Sequence, residues 1–222
     1  RTATVTAFVN RDKTISLATN GKPDASVDLA RSEETGPASQ VALANDTAAQ
    51  LLIPLVSLAH VPHARIAAVI GHGSGITSSL LLGSSTLTRL VTLEIEPQMI
   101  EGSKVFLPRN QRVFDDPRAR FAVEDAKTFF ATDPMQYDLI VSEPSNPWVS
   151  GVASLFTTEF YAGIAPRLTS GGVLGQWIHV YEMNDFLLLT ILAALPANFA
   201  AYQVYLLNRA DMLIVASRTA PL

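Results

Sequence analysis

One stretch limits the choice of fold more than any other. Residues 66–81 read IAAVIGHGSGITSSLL. An apolar run of strand character leads into Gly71, Gly73 and Gly75, and a short helical pattern follows. Glycines here let the chain turn sharply out of a buried strand and let a ligand approach the backbone. The helix start behind them turns free amide groups toward that ligand. A tight strand-to-helix turn with no ligand fits the same residues, so the loop is weighed with its surroundings.

From this point apolar strands and helices alternate. Strands are expected over 66–70, 90–95, 120–123, 138–142 and 173–180. Helices are expected over 77–82, 98–106, 126–130, 157–168 and 185–195, and 200–206 with 212–216 closes as a hairpin-like pair. The strands are continuous apolar runs rather than alternating ones, the pattern of a parallel sheet covered on both faces. Upstream, Asp46 caps a helix that runs through Gln50, Leu51, Leu55 and Leu58 and ends near Pro62. The first thirty residues differ. Residues 2–9 alternate, with Ala3, Val5, Ala7 and Val9 on one face, 14–18 make a second short strand, and Asn20-Gly21 is a turn signal. Residues 31–40, RSEETGPASQ, read as a polar linker.

Composition narrows the function. The chain has 222 residues, 48% hydrophobic and 16% charged, against about a quarter charged in an ordinary domain. With no cysteine, disulfides, thiolate metal sites and a cysteine nucleophile are excluded. A net charge of −4 without any basic block argues against nucleic acid as a partner. The longest apolar stretch, 186–195, is about ten residues where a membrane span needs about twenty. No signal peptide is visible. The chain begins at Arg1 and ends abruptly at Leu222, which reads as a segment of a longer protein.

Three further groups carry chemistry. Glu94 stands nineteen residues beyond Gly75, at the end of the next strand. An acid there is placed to accept hydrogen bonds from ribose hydroxyls. Glu96, two positions on and on the same face, competes for that role. Asp125-Ala126 follows the 120–123 strand, where Asp125 suits either the exocyclic amine of adenine or a helix N-cap. YDLIVSEPSNPW, residues 137–148, delivers Glu143, Ser145 and Asn146 to the carboxyl edge of the sheet, with Pro144 and Pro147 stiffening the loop. A carboxylate there can hold an ammonium or take its proton.

Other residues weigh less. Trp148, Gln176, Trp177 and Tyr181 end near the same edge, where rings can cage a cation. Gln176 is the stronger pocket candidate, because a glutamine in an apolar strand needs a partner, whereas Trp177 reads as packing. Glu182 and Asp185 read as a solvated loop and a helix cap. His60, His63, His72 and His179 lack ligand spacing, so no metal site is expected. His72 either touches the ligand or points outward. Ser74, Ser78 and Ser79 do not form a nucleophile elbow.

Together these residues resemble the spermidine/spermine synthase family of polyamine aminopropyltransferases. The likeness rests on Asn20-Gly21-Lys22, Gln50, the glycine loop, Leu93-Glu94-Ile95-Glu96, Asp125-Ala126, residues 137–147 and LFTTEFY at 155–161. SEPSNPW followed by a glycine and that Leu-Phe-Thr run resembles the bacterial branch fused to membrane helices. The resemblance implies an α/β fold: a class I methyltransferase-like doubly wound sheet (the S-adenosylmethionine type), led by a small β hairpin domain. The expected division is 1–45 for the hairpin element and linker and 46–222 for the catalytic domain.

The resemblance also implies site residues. Gly71, Gly73, Ser74 and Gly75 would lie under the methionine-derived tail of the cofactor. Glu94 and Ile95 would take the ribose side, and Asp125 and Ala126 the adenine. Glu143 falls where the family has its catalytic Asp, Asn146 where it has a second, amine-binding Asp, and Gln50 in its Tyr-Gln-Glu stretch. Trp148, Gln176 and Tyr181 complete the expected substrate side. Three departures stand out. Ser74 replaces an Asp that helps hold the aminopropyl ammonium, Ala49 and Leu51 replace the Tyr and Glu beside Gln50, and Asn146 is neutral. Each lost hydrogen bond to a charged group weakens polyamine binding by roughly 1–3 kcal/mol.

The leading expectation is aminopropyl transfer from decarboxylated S-adenosylmethionine to a small amine, without metal, in the cytoplasm. A homodimer and attachment to a membrane domain are implied by resemblance. Methyl transfer from intact S-adenosylmethionine is the second expectation, since Ser74 removes an Asp that would repel the amino-acid carboxylate. A non-catalytic nucleoside-binding domain of a membrane protein is the third.

Overall fold

The computed structural model describes residues 3–11, 14–28, 45–144, 151–180, 183–219 and 222. The expected linker at 31–40, and Asn146, Trp148, Tyr181 and Glu182, lie outside the described residues.

Two sheets organise the chain. The first has three antiparallel strands, β1 (Val5–Val9), β2 (Thr14–Thr19) and β3 (Lys22–Asp28). The Asn20-Gly21 turn joins β2 to β3, with φ of 52° and 85°. Two successive left-handed residues match the strand twist, which is why Asn-Gly serves here. β3 was not expected, because KPDASVD is poor in strand formers. It pairs with β2 through an irregularity between Leu17 and Ala18, where Pro23 stands opposite Ala18. A proline is tolerated at such a break because the ladder asks no N–H of it. The alternation of β1 does not bury a face as its pattern suggested, since Val9 is 69% exposed.

The second sheet follows helix α1 (Asn45–His60). Its strands are β4 (Ile66–Ile70), β5 (Arg89–Leu93), β6 (Ala119–Ala122), β7 (Tyr137–Ser142), β8 (Leu168–His179), β9 (Ala201–Leu206) and β10 (Asp211–Ser217), in the order β6-β5-β4-β7-β8-β10-β9. The first five are parallel, and β10 runs antiparallel to both β8 and β9. The connecting helices are α2 (Ile76–Leu81), α3 (Pro97–Gly102), α4 (Gln111–Asp115), α5 (Ala126–Thr132), α6 (Thr158–Ile164) and α7 (Asp185–Ala194). The helix expected over 98–106 divides into α3 and a 3₁₀ turn at Ser103–Phe106, and that expected over 157–168 ends in a 3₁₀ turn around Pro166. Helix α4 was missed; at five residues it leaves almost no periodic signal.

Consecutive strand residues alternate between two cores. Ala68, Ile70, Ile140, Leu174 and Ile214 pack under α5, α6 and α7. Ala67, Val69, Leu139, Val141 and Leu213 pack under α1, α2 and α4. Both faces are covered, so the central strand positions are mostly apolar, with Thr92, Ser142 and Gln176 as buried polar exceptions. A third cluster, Leu17, Val27, Ile76, Met99 and Phe106, joins the small sheet to α2 and α3. The small sheet is thereby seated over the carboxyl edge of the large one.

A side-chain clamp closes the opposite edge. Arg118 donates to the carbonyls of Ser84 and Leu87 at 2.8 and 2.9 Å, to the carbonyl of Leu82, and to both oxygens of Asp116. Lysine cannot reproduce that planar fork. Arg118→Lys should therefore lower unfolding free energy by roughly 1–3 kcal/mol in chemical denaturation, through carbonyls left without donors. A change below about 0.5 kcal/mol, the range of an ordinary surface substitution, would show that the clamp is dispensable.

Candidate active site

Strand order reverses between β4 and β7, so the connections leave these neighbours in opposite directions. The crevice so formed lies at the carboxyl ends of the strands, the usual ligand position in open α/β sheets. A cavity of about 680 Å³ occupies it, roofed by residues of β2, β3 and α1.

The glycine loop forms its floor. Gly71 has φ of +90°, and a Cβ there would stand 2.6 Å from the backbone oxygen of Glu143. Gly75 has φ of +75°, and its Cβ would meet the His72 ring at 2.7 Å. The sequence suggested that glycine here admits a ligand. At these two positions it makes room for the protein's own atoms; Gly71 also lines the cavity, whereas Gly75 does not. Only Gly73, φ +49° with nothing nearer than 3.9 Å, opens onto free space. His72 does not point outward, and it is among the residues that line the cavity. It is buried edge-on against Phe121 and Phe114, hydrogen-bonded to Ser103 at 2.7 Å, and burial pushes its pKa down to about 4.

Glu94 closes β5 beside this loop. Its carboxylate accepts from the amides of His72 at 3.0 Å and Glu96 at 2.9 Å. Burial raises its pKa, and nearby Asp24 adds to the rise, while backbone amides of Glu96, His72 and Ile95 oppose it. Glu96, the competing acid, accepts from Gln98 N to cap α3 and from Ala3 N, so it ties the small sheet down. Ile95 stands between them on the cavity wall, 70% exposed. Asp125 caps α5 through Oδ1, accepting from Lys127 N and Thr128 N, and also lines the cavity with Ala126.

Glu143 follows β7 on the other side of the crevice. Its amide donates to Ile70 O at 2.8 Å, and Thr77 Oγ1 donates to its Oε2 at 3.1 Å. The residue as a whole is half-buried, yet its Oε1 is enclosed and meets no hydrogen-bond partner among the described residues. Burial raises its pKa to about 7, with the Thr77 hydrogen bond pulling weakly the other way. Ser74, Gln50 and Ser26 link the loop to the roof: Ser74 Oγ donates to Gln50 Oε1, and Gln50 Nε2 donates to Ser26 O at 2.7 Å.

The far end holds a group that the sequence reading passed over. Asp211 opens β10 opposite His179 on β8. It accepts from His179 Nδ1 at 2.8 Å and Trp177 Nε1 at 3.0 Å, both on Oδ1, and from Asn208 Nδ2 at 2.7 Å on Oδ2. Desolvation opposes its charge, but the hydrogen bonds from His179, Asn208 and Trp177 outweigh it and hold the carboxyl below its usual range. The only sequence signal was one acid heading a strand, MLIVA, that is otherwise apolar. Trp177, read as packing, does pack against the core, and it also lines the cavity. Gln176, expected in the pocket, is 0% exposed and does not line it. Its Nε2 donates to Ser142 O and Trp177 O, so its partners are strand carbonyls. Asp185 is exposed in the first turn of α7, whose cap is Asn184.

The cavity is acidic. Asp24, Glu94, Glu96, Glu124, Asp125, Glu143 and Asp211 line it against a single lysine, Lys22, among the described residues. Such a lining concentrates cations. No described trio of His, Asp or Glu is arranged to hold a metal ion.

Comparison with known proteins agrees with this geometry. Residues 48–208 match the spermine/spermidine synthase domain. The polyamine aminopropyltransferase of Nitrosomonas europaea is 31% identical over 156 residues, 69% of this chain and 48% of that protein. The chain thus spans about half the length of this curated relative. A spermidine synthase solved with the transition-state analogue AdoDATO superposes with a TM-score of 0.82 at 17% identity, over 99% of this chain and 71% of its own. Human methyltransferase-like protein 13, solved with SAH, gives 0.58 at 18% identity, over 78% of this chain and 80% of its own. The likeness to both structures is one of fold. With the matched domain covering most of its length, the chain belongs to the spermine/spermidine synthase family.

Proposed function

We propose that this cavity transfers an aminopropyl group from decarboxylated S-adenosylmethionine to an amine. Residues 46–222 act as the catalytic domain, and the small sheet within 1–45 covers the site through β2 and β3. The observation that carries the reading is Glu143. Its carboxylate is enclosed beside the glycine loop, with one oxygen lacking a partner among the described residues and its pKa raised to about 7. A base poised near neutrality is what proton removal from an attacking amine needs. The acidic lining suits a sulfonium and an ammonium together. Relatives named polyamine aminopropyltransferase support the same reading.

Glu94 takes the ribose hydroxyls on its remaining lone pairs, and Ile95 lies under the sugar and base. Asp125 and Ala126 meet the adenine, and Gly73 leaves room for the tail. The amine nitrogen attacks the carbon next to the sulfonium sulfur. The C–S bond breaks, neutral methylthioadenosine departs, and the amine proton passes to Glu143. Most of the acceleration comes from aligning nitrogen, carbon and sulfur in a closed site.

Methyl transfer from intact S-adenosylmethionine is a second reading with its own support. Ser74 is neutral, and the Lys22 Nζ is enclosed without a partner among the described residues, so the wall can accept a carboxylate. Calorimetry with the two sulfonium compounds separates the readings. Tighter binding of the decarboxylated form is expected, and the reverse order would reject aminopropyl transfer. Sedimentation of the same preparation reads out the homodimer that the resemblance implies.

Glu143→Gln should retain the adenosyl ligand while methylthioadenosine release falls about 10²–10⁴-fold. Undiminished release would remove Glu143 as the base. The same variant carries a stability signature. Glu143 has a folded pKa of about 7, above its ordinary 4.5. Its protonated form therefore favours folding below the ordinary value, and that stability is lost as pH rises through 7. Glutamine cannot lose it. The variant should match the native chain near pH 4.5 and exceed it by roughly 1–3 kcal/mol at pH 8. Denaturation curves at the two pH values check this, and a gap independent of pH would mean that the carboxyl is not desolvated.

A further inference from the structure

Lys22 opens β3 opposite Thr19. A strict period of two would set it on the other face of the strand from Ala25 and Val27. The irregularity between Leu17 and Ala18 leaves Asp24 as an extra residue, and the phase shifts there. Lys22 therefore shares the face of Thr19, Leu17, Ala25 and Val27. An extra residue of this kind re-aims the side chains beyond it. That face looks down on the large sheet. Leu17 and Val27 pack against α2 and α3, and the Ala25 Cβ lies 3.9 Å from where a Cβ on Gly73 would stand.

The tethers of the roof fix which end of the cavity Lys22 reaches. Towards the other end of β3, Gln50 ties Ser26 to Ser74. At the Lys22 end, the amide of Asn20 donates to Thr4 O at 2.8 Å, and Ala3 N donates to Glu96 at 2.7 Å. Lys22 and Thr19 thus line the cavity on the side of Glu94, Ile95 and Glu96. The Lys22 Nζ is enclosed and meets no hydrogen-bond partner among the described residues. An ammonium carries three donors, and burying them unmade is costly. Opposite charge is not what it lacks, because acids line the same walls. It lacks acceptor atoms at contact distance. The Glu94 carboxylate offers acceptors only. A vicinal diol fits between the two groups: its protons go to the carboxylate, and its oxygens keep lone pairs for a donor on the roof.

We propose that Lys22 donates to the sugar hydroxyl oxygens of the adenosyl ligand, so that roof and floor grip the ribose from opposite sides and the site selects for an intact diol. This rests on reading the cavity as an adenosyl site and adds a specificity-determining residue from the small sheet. It also gives the ligand a structural effect, since a sugar held by both Glu94 and Lys22 fastens the roof to the large sheet.

Calorimetry tests this without turnover. Methylthioadenosine is neutral, so repulsion between Lys22 and a sulfonium does not enter. Lys22→Met keeps an unbranched apolar stem and removes the donor. The variant should bind methylthioadenosine about 10- to 100-fold more weakly than the native protein. Its affinity for the 2′,3′-dideoxy analogue should stay within about twofold of the native value. Equal weakening of both ligands, or of neither, overturns the assignment and leaves the adenosyl reading standing. Loss confined to intact S-adenosylmethionine, with methylthioadenosine unchanged, gives Lys22 to the tail carboxylate and also overturns it. A second measurement needs no variant. In the native protein, amide hydrogen exchange across β2 and β3 should slow when methylthioadenosine saturates the site and stay unchanged when the dideoxy analogue does. The same protection with both ligands overturns the assignment. A native protein that binds no methylthioadenosine removes the adenosyl reading itself, and the assignment with it.

Discussion

The site depends on one close backbone contact. Gly71 leaves β4 with positive φ, and its missing side chain lets the carbonyl of Glu143 approach where a Cβ would stand at 2.6 Å. The amide of Glu143 donates to Ile70 O, and the amide of Gly71 to Leu93 O. The ends of three adjacent strands are thereby locked to one another. The glycine loop, the acid that closes β5 and the acid that follows β7 all take their positions from this junction. It falls where strand order reverses, so the crevice and the groups lining it share one cause.

Two carboxylates in this cavity behave in opposite ways. Glu143 is enclosed with a single threonine donor, and burial lifts its pKa to about 7. Asp211 is also buried, but three donors converge on it and hold its carboxyl below the usual range. Environment alone separates a group that exchanges a proton near neutrality from one that stays anionic. The same logic governs His72. Packed between aromatic rings, it stays neutral and serves as a strut under the loop.

The roof shows how a small sheet becomes part of a larger site. Leu17 and Val27 reach into a cluster with Ile76, Met99 and Phe106, so packing against α2 and α3 seats the sheet. Hydrogen bonds from Gln50 to Ser26 and from Ala3 to Glu96 then fix it over the cavity. Seating the sheet also sets Asp24 near Glu94, whose pKa is raised chiefly by its own burial and to a lesser degree by the Asp24 charge.

Local pattern determined a good deal on its own. The apolar runs, the glycine loop, the acids at 94, 125 and 143 and the Asn20-Gly21 turn are written in neighbouring residues. A strand buried on both faces, a turn needing positive φ and a carboxylate at a strand end each leave a mark within a few positions. Tertiary structure decided what depends on pairing between distant segments. Nothing near Asp211 in the chain says that β10 runs antiparallel and returns an acid to the carboxyl rim opposite His179. Nothing near Gln176 says that strand carbonyls, rather than a ligand, satisfy its amide. Nothing near Gly75 says that a histidine ring, not a ligand, fills the space a Cβ would take. Those outcomes are set by which backbones lie side by side, and strand register between segments tens of residues apart is not encoded in local sequence.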